Sequence, residues 1–123
     1  MSGILLSPGC VDITNPKVVR STMGAIMRVP FVYSDDLAGT LDRLKKDYFG
    51  FTVYVTALNG SVPYTEPKYY GRLALVIGNE AGGVSEEVLN VADKRIRIPM
   101  AGRVESLNAA VAAAVVMYET VKY

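Results

Sequence analysis

Leu75-Val-Ile-Gly-Asn-Glu-Ala-Gly-Gly-Val-Ser-Glu-Glu87 is the stretch that decides the fold. An apolar run ends at Gly78, a polar pair follows, and two further glycines lead to a helix start at Ser85. Continuous apolar runs of this kind are typical of central strands that a parallel sheet buries on both faces. Since ligands bind in the loops after such strands, this stretch predicts both an α/β fold and a site.

A second stretch, Ile98-Pro-Met-Ala-Gly-Arg-Val-Glu-Ser-Leu-Asn108, repeats the arrangement of strand, loop and helix start. Each loop alone has a purely structural interpretation, because glycines turn chains and Ser106 caps helices well. Glu80 follows an apolar strand, where hydrogen-bond donors must satisfy its charge, so both a structural anchor and a functional carboxylate remain open. The two loops together, in this order, favour a ligand site.

Strands and helices alternate along the whole chain. Strands are predicted at Ile4–Leu6, Val29–Tyr33, Phe51–Ala57, Leu73–Ile77 and Arg95–Ile98, with a loop from Asn59 to Pro67. Helices are predicted from Asn15 to about Gly24, from the Ser34-Asp35-Asp36 cap to Gly50, after Ser85, and from Leu107 to Tyr118 or beyond. This alternation predicts one domain, residues 1–123, with a parallel sheet of about five strands and helices on both faces. The loops after Ala57, Ile77 and Ile98 then lie at the carboxyl edge of the sheet.

The last helix is apolar around most of its circumference, as the run Ala109–Val116 shows. One sheet covers only one side of a helix, so either the core encloses this helix or a second protomer covers it. We favour the second interpretation, which is a homodimer.

Composition excludes several classes of site. The chain has no histidine and a single cysteine, which rules out Ser-His-Asp and Cys-His catalysis and makes a metal site improbable. A packed or idle thiol is the favoured interpretation of Cys10, and one cysteine is typical of a reducing, cytoplasmic compartment. The net charge of +1 does not indicate nucleic-acid binding. The longest apolar run, Ala109–Met117, is too short to span a membrane.

Three motifs carry a resemblance to a known family. They are Ile77-Gly-Asn-Glu-x-x-Gly-Val-Ser85, Ile98-Pro-Met-x-Gly-x-Val-Glu-Ser-Leu-Asn-x-x-x-Ala112 and Cys10-Val-Asp-x-x-Asn-Pro-Lys-Val-Val-Arg-x-x-Met-Gly-Ala25. In their order along the chain, with the Cys10 motif first, they resemble the SpoU (TrmH-like) RNA ribose methyltransferases, and the resemblance extends from Ile4 to the last helix.

The resemblance implies a SPOUT-type α/β fold with a C-terminal trefoil knot. It implies methyl transfer from S-adenosylmethionine to a ribose 2′-oxygen of rRNA or tRNA, by a homodimer. Motif matching gives Gly78, Ile98 and Leu107 as cofactor contacts, together with Ala57 and Met100. It gives Glu80, Ser106 and Asn108 as polar catalytic residues. Such chemistry needs alignment of oxygen, sulfur and methyl carbon and removal of one proton, so the lack of histidine does not exclude it. Candidate RNA contacts are Lys17, Arg20, Arg28 and Arg103.

One motif of the family has no match in these 123 residues. Members carry an Asn-x-Gly-x-x-x-Arg-Thr segment, whose arginine is the favoured activator of the ribose hydroxyl. We therefore expect an N-terminally truncated, C-terminal portion of a longer methyltransferase, which binds cofactor weakly and transfers methyl groups negligibly by itself. The alternatives are a non-catalytic module that binds cofactor or RNA or dimerises, and a second protein that supplies the segment.

Overall fold

The structure is a computed structural model that describes residues 4–6, 31–57, 59–69, 71–78, 84–99 and 109–120. The chain forms two compact units, Met1–Thr40 and Leu41–Tyr123. The strands are β1 (Ile4–Leu6), β2 (Phe31–Tyr33), β3 (Thr52–Thr56), β4 (Val62–Pro63), β5 (Leu73–Val76) and β6 (Lys94–Arg97). The helices are α1 (Leu37–Asp47), α2 (Glu86–Val91) and α3 (Ala109–Thr120).

The first unit contains a parallel pair of strands and the start of α1. Strand β1 pairs with β2, with Ile4 opposite Phe31. Helix α1 begins after Asp36, whose carboxylate Oδ1 accepts a hydrogen bond from the backbone N–H of Gly39 at 3.0 Å. This bond satisfies one of the unpaired donors at a helix N-terminus, and it confirms the predicted cap. The helix predicted from Asn15 to Gly24 lies outside the described residues.

The second unit is organised around a four-stranded parallel sheet with the order β4-β6-β3-β5. Strand β3 lies inside this sheet, and its residues Val53 and Val55 have no exposed surface, while Tyr54 is 7% exposed. Because successive side chains of a strand point to opposite faces, both faces of β3 are buried. The predicted α/β fold with a parallel sheet is confirmed.

Helix α3 packs against one face of this sheet. Val116 of α3 forms a core cluster with Tyr54, Tyr69 and Ile96. The rings of Tyr54 and Tyr69 are 4.8 Å apart between centroids, and the Tyr69 hydroxyl donates to the carbonyl oxygen of Tyr64 at 2.5 Å. The polar tip of a buried tyrosine therefore has a partner, so its ring stabilises the core without an unsatisfied hydroxyl.

Two details of the sheet differ from the predictions. Strand β4 falls within the loop predicted from Asn59 to Pro67. Pro63 is accommodated there because β4 is an edge strand of the described sheet, where the missing N–H matters least. Strand β5 is at the other edge of the described sheet and has one described neighbour, β3, where a central place was predicted for Leu73–Ile77. Its residues are half-buried, whereas those of β3 are buried.

Helix boundaries follow the predicted signals. The chain turns at Gly50, which has a φ of +78°, three residues after α1 ends. Ser85 caps α2, and its hydroxyl accepts from the backbone N–H of Val88 at 3.4 Å. Helix α3 is described from Ala109. Within the described ranges, no helix is long and apolar enough to cross a membrane. The count of about five strands and the trefoil knot stay predictions.

Asp93 connects three elements at the amino ends of the strands. Its carboxylate accepts from the backbone N–H of Val53 at 2.8 Å and pairs with the Lys45 ammonium of α1 at 2.9 Å. Its own backbone N–H donates to the carbonyl oxygen of Val53 at 2.9 Å. The Lys45 ammonium also donates to the carbonyl oxygen of Val91, the last residue of α2, at 2.9 Å. Asp93 therefore holds the start of β6 against the start of β3.

Replacing Asp93 with alanine should lower the free energy of unfolding by about 1–3 kcal/mol, because the buried backbone N–H of Val53 loses its side-chain acceptor. This corresponds to a fall of roughly 4–12 °C in the midpoint of thermal unfolding, measured by circular dichroism. Asp42→Ala is the matched control, since Asp42 pairs with the exposed Lys46 and such pairs contribute about 0.5 kcal/mol or less. Equal effects of the two substitutions would contradict the assigned role of Asp93.

Candidate functional site

Three of the predicted cofactor residues lie at the same edge of the sheet. Ala57, Gly78 and Ile98 come directly after the strands β3, β5 and β6 or one residue beyond them. Because β5 and β6 both pair with β3 in parallel, the carboxyl ends of all three strands meet at one edge. The predicted convergence of the loops after Ala57, Ile77 and Ile98 is confirmed for the ends of these strands.

Hydrogen bonds fix the positions where these strands end. The backbone N–H of Ala57 donates to the carbonyl oxygen of Ile96 at 3.0 Å. The Thr56 hydroxyl accepts from the backbone N–H of Gly78 at 3.3 Å and donates to the carbonyl oxygen of Val76 at 3.4 Å. Thr56 therefore attaches the first residue of the glycine-bearing loop to the neighbouring strand.

The chemistry of this edge suits an uncharged, aromatic ligand group. Ala57, Gly78 and Ile98 are each half-buried, and Ile98 packs against the core cluster that contains Ile96. An apolar side chain beside the backbone groups of strand ends offers a surface for an aromatic ring and hydrogen-bond partners for its edge. This arrangement fits the adenosyl portion of S-adenosylmethionine.

The other predicted site residues lie outside the described residues. These are Glu80, Met100, Ser106, Leu107 and Asn108 at the site, the candidate RNA contacts Lys17, Arg20, Arg28 and Arg103, and Cys10. Their roles stay predictions. In the part of the chain that the structure describes, no group of three or more acidic, histidine or cysteine side chains is arranged to hold a metal ion.

Thr56 is the site residue that the sequence did not reveal. A threonine in the run Phe51–Ala57 reads as a strand former, because β-branched residues are enriched in strands. Its hydroxyl gains significance only when β5 is placed beside β3, which is a tertiary pairing. Its position immediately before Ala57, a predicted contact residue, is the one signal that the sequence offered.

A comparison with protein families identifies the class. The model of the SpoU rRNA Methylase family matches residues 1–118, so the chain belongs to this family. The resemblance of the three sequence motifs is thus confirmed.

Individual relatives agree with this assignment. The 23S rRNA (guanosine(2553)-2′-O)-methyltransferase RlmP of Bacillus subtilis is 37% identical over 118 residues, which are 96% of this chain and 46% of RlmP. An AdoMet-bound rRNA methyltransferase from Sinorhizobium meliloti superposes with a TM-score of 0.88 at 33% identity, over 98% of this chain and 46% of that one. The SpoU methyltransferase AviRb from Streptomyces viridochromogenes, in complex with AdoMet, superposes with a TM-score of 0.86 at 29% sequence identity. The match covers 98% of this chain and 49% of AviRb. The chain spans about half the length of these relatives.

The substitution Thr56→Val should weaken binding of S-adenosylhomocysteine about fivefold. Valine has nearly the same shape but leaves the N–H of Gly78 without its acceptor, and one such hydrogen bond contributes about 1 kcal/mol. Thr56→Ser keeps the hydroxyl and should retain the affinity of the unmodified chain in isothermal calorimetry. If valine and serine variants bind equally well, Thr56 does not position the loop.

Proposed function

We propose that this chain is the C-terminal part of the methyltransferase domain of an S-adenosylmethionine-dependent RNA 2′-O-ribose methyltransferase that acts on rRNA or tRNA. The observation that carries the proposal is the convergence of Ala57, Gly78 and Ile98 at the carboxyl edge of β5-β3-β6 in a member of the SpoU family. The name of RlmP and the AdoMet-bound relatives support the reaction and the cofactor.

The proposed roles divide between holding the cofactor and positioning the ribose. Gly78, Ile98 and Leu107 hold the adenosyl group, with Ala57 and Met100 beside them. S-adenosylmethionine, when bound, supplies an electrophilic methyl group on sulfur. The polar residues Glu80, Ser106 and Asn108 surround the ribose 2′-hydroxyl, and one of them accepts the hydrogen bond of its O–H, which keeps the oxygen in line for methylation. An rRNA or tRNA substrate supports a cytoplasmic location for the enzyme.

The 123-residue chain should bind S-adenosylhomocysteine weakly and transfer methyl groups at no more than background rate. Binding is expected because the strand ends and loops of the cofactor site are within the chain. Methyl transfer is not expected, because these 123 residues contain no Asn-x-Gly-x-x-x-Arg-Thr segment. Calorimetric titration measures the first expectation, and a labelled methyl donor with bulk rRNA and tRNA measures the second.

The two measurements separate the proposed function from its alternative. Absence of heat at millimolar ligand would refute the cofactor site. Cofactor binding without transfer, even when the arginine-bearing segment of a relative is added, would favour a non-catalytic binding module. Turnover by the chain alone would contradict the need for that segment.

We also propose that the chain functions as a homodimer through helix α3. Val111 is 49% exposed and Tyr118 is 72% exposed, and Ala114 between them is exposed as well. Residues at this spacing lie on one face of a helix, opposite to the face on which Val116 is buried. An apolar face that water would otherwise contact supports a second copy as its cover.

Tyr118→Glu should shift the chain from dimer to monomer, because a carboxylate buried in an apolar interface without a partner is strongly unfavourable. Sedimentation velocity over a range of protein concentrations measures the distribution. Asn90→Glu is the matched control, since it adds the same charge at an exposed position of α2. A monomer at all concentrations of the unmodified chain, or equal dissociation by both variants, would refute the dimer.

A further inference from the structure

The turn between α1 and β3 displays an aromatic side chain to solvent. Phe49 is fully exposed, at 102% of its reference surface, and the neighbouring Tyr48 is 42% exposed. Backbone hydrogen bonds hold the turn. The N–H of Tyr48 donates to the carbonyl oxygen of Leu44 at 3.0 Å, and the N–H of Phe51 donates to the carbonyl oxygen of Tyr48 at 3.2 Å. A phenylalanine held outward on a fixed turn forgoes the roughly 1.5–3 kcal/mol that its burial would contribute. A single exposed apolar residue is common on protein surfaces, so the groups beside Phe49 decide whether it belongs to a contact surface.

Cationic groups lie beside these rings. The guanidinium carbon of Arg72 is 4.9 Å from the centroid of the Tyr48 ring, which is a cation–π arrangement. Arg72 itself remains exposed. Arg72 immediately precedes β5, and Gly71, with a φ of +75°, turns the chain just before Arg72. The arginine is therefore held in place next to the exposed phenylalanine turn.

A cavity of about 320 Å³ is lined by the Phe49 ring and by two cations. It is lined by Phe49, Gly50, Thr52, Tyr54, Lys68, Gly71 and Arg72. Two of these side chains are positively charged and none is a carboxylate. From Tyr48 to Gly78 the sequence contains one acidic residue, Glu66, and neither Glu66 nor Asp47 lines the cavity. We call the surface formed by Tyr48, Phe49, Lys68 and Arg72 the Phe49 patch.

The Phe49 patch lies at the opposite edge of the sheet from the candidate cofactor site. Thr52 and Leu73 are the first residues of β3 and β5 and are paired with each other, so the patch is at the amino ends of these strands. Ala57 and Gly78 follow the carboxyl ends of the same two strands. A ligand on the patch is therefore separate from the strand ends that carry Ala57 and Gly78.

We propose that the Phe49 patch binds an unpaired nucleotide of the RNA substrate, away from the site of methylation. A base stacks on the Phe49 ring, and the adjoining phosphates contact Arg72 and Lys68. Exposed aromatic rings next to arginine and lysine are the usual means by which proteins hold single-stranded RNA without reading its sequence. This inference rests on the proposed function, because it takes RNA as the substrate.

Charge favours RNA over a protein as the occupant. The lining of this cavity contains one lysine, one arginine and no carboxylate, so its charge complements a polyanion. Phosphates need such cations, and aromatic side chains stack on every base. A local cluster of this kind is compatible with a net charge of only +1, since opposite charges elsewhere in the chain balance it.

Phe49→Ala should lower the affinity of the chain for a fluorescently labelled, unstructured RNA 12-mer at least fivefold in anisotropy titrations. Phe49→Trp should retain or strengthen binding, since it keeps a stacking surface. Arg72→Gln should weaken binding and reduce the slope of log affinity against log salt by roughly 0.7, the contribution of one phosphate contact to a single strand. Arg43→Gln is the matched control, because Arg43 is an exposed cation of α1 that does not line the cavity.

Calorimetry with S-adenosylhomocysteine on the same variants separates this proposal from the proposed function. Cofactor binding that is unchanged while Phe49→Ala loses RNA affinity supports both. Unchanged RNA affinity in Phe49→Ala, or equal losses in Arg72→Gln and Arg43→Gln, overturns the patch and leaves the cofactor site intact. Loss of RNA affinity in Phe49→Ala without any cofactor binding by the unmodified chain overturns the proposed methyltransferase and not the RNA surface.

Discussion

Parallel pairing of β3 with β5 on one side and β6 on the other is the constraint on which the rest of the structure depends. Its register places Val55 opposite Val76 and Thr56 opposite Ile96, so that all three strands end together. A shift of one residue would exchange the two faces of β3 and bring Tyr54 to the side where the valines are now buried. Burial of both faces therefore fixes the register, and the register brings the loops of the candidate site to one edge.

The two edges of this sheet differ in chemistry. At the carboxyl edge, the described side chains Thr56, Ala57 and Ile98 are uncharged, so backbone groups and an apolar surface dominate recognition. At the amino edge, the Phe49 patch combines aromatic rings with cations. The uncharged surface of Thr56, Ala57 and Ile98 suits an adenosyl group and a cationic aromatic surface suits a polyanion, so the two proposed kinds of recognition do not compete for space.

Rigid supports hold both edges in place. Asp93 and Lys45 join α1 and the end of α2 to the starts of β3 and β6, while the cluster of Tyr54, Ile96 and Val116 attaches α3 to one face. Loops that extend from elements packed in this way keep their positions more accurately than loops supported by other loops. The same packing leaves Val111 and Tyr118 of α3 exposed, which is the surface available to a second copy.

The sequence by itself determined the family through its three motifs. It also determined the α/β class, the caps at Asp36 and Ser85, and the place of the glycine-bearing stretch after an apolar run, because apolar periodicity and capping residues act over short distances. It did not reveal strand β4, since Val62–Pro63 is too short and too proline-marked to read as a strand. Nor did it show β5 at the end of the described sheet, the bond from Gly78 to the Thr56 hydroxyl, or the approach of Arg72 to Tyr48. Those features join residues that are about twenty or more positions apart in the chain, and only the pairing of strands in three dimensions decides which of them meet.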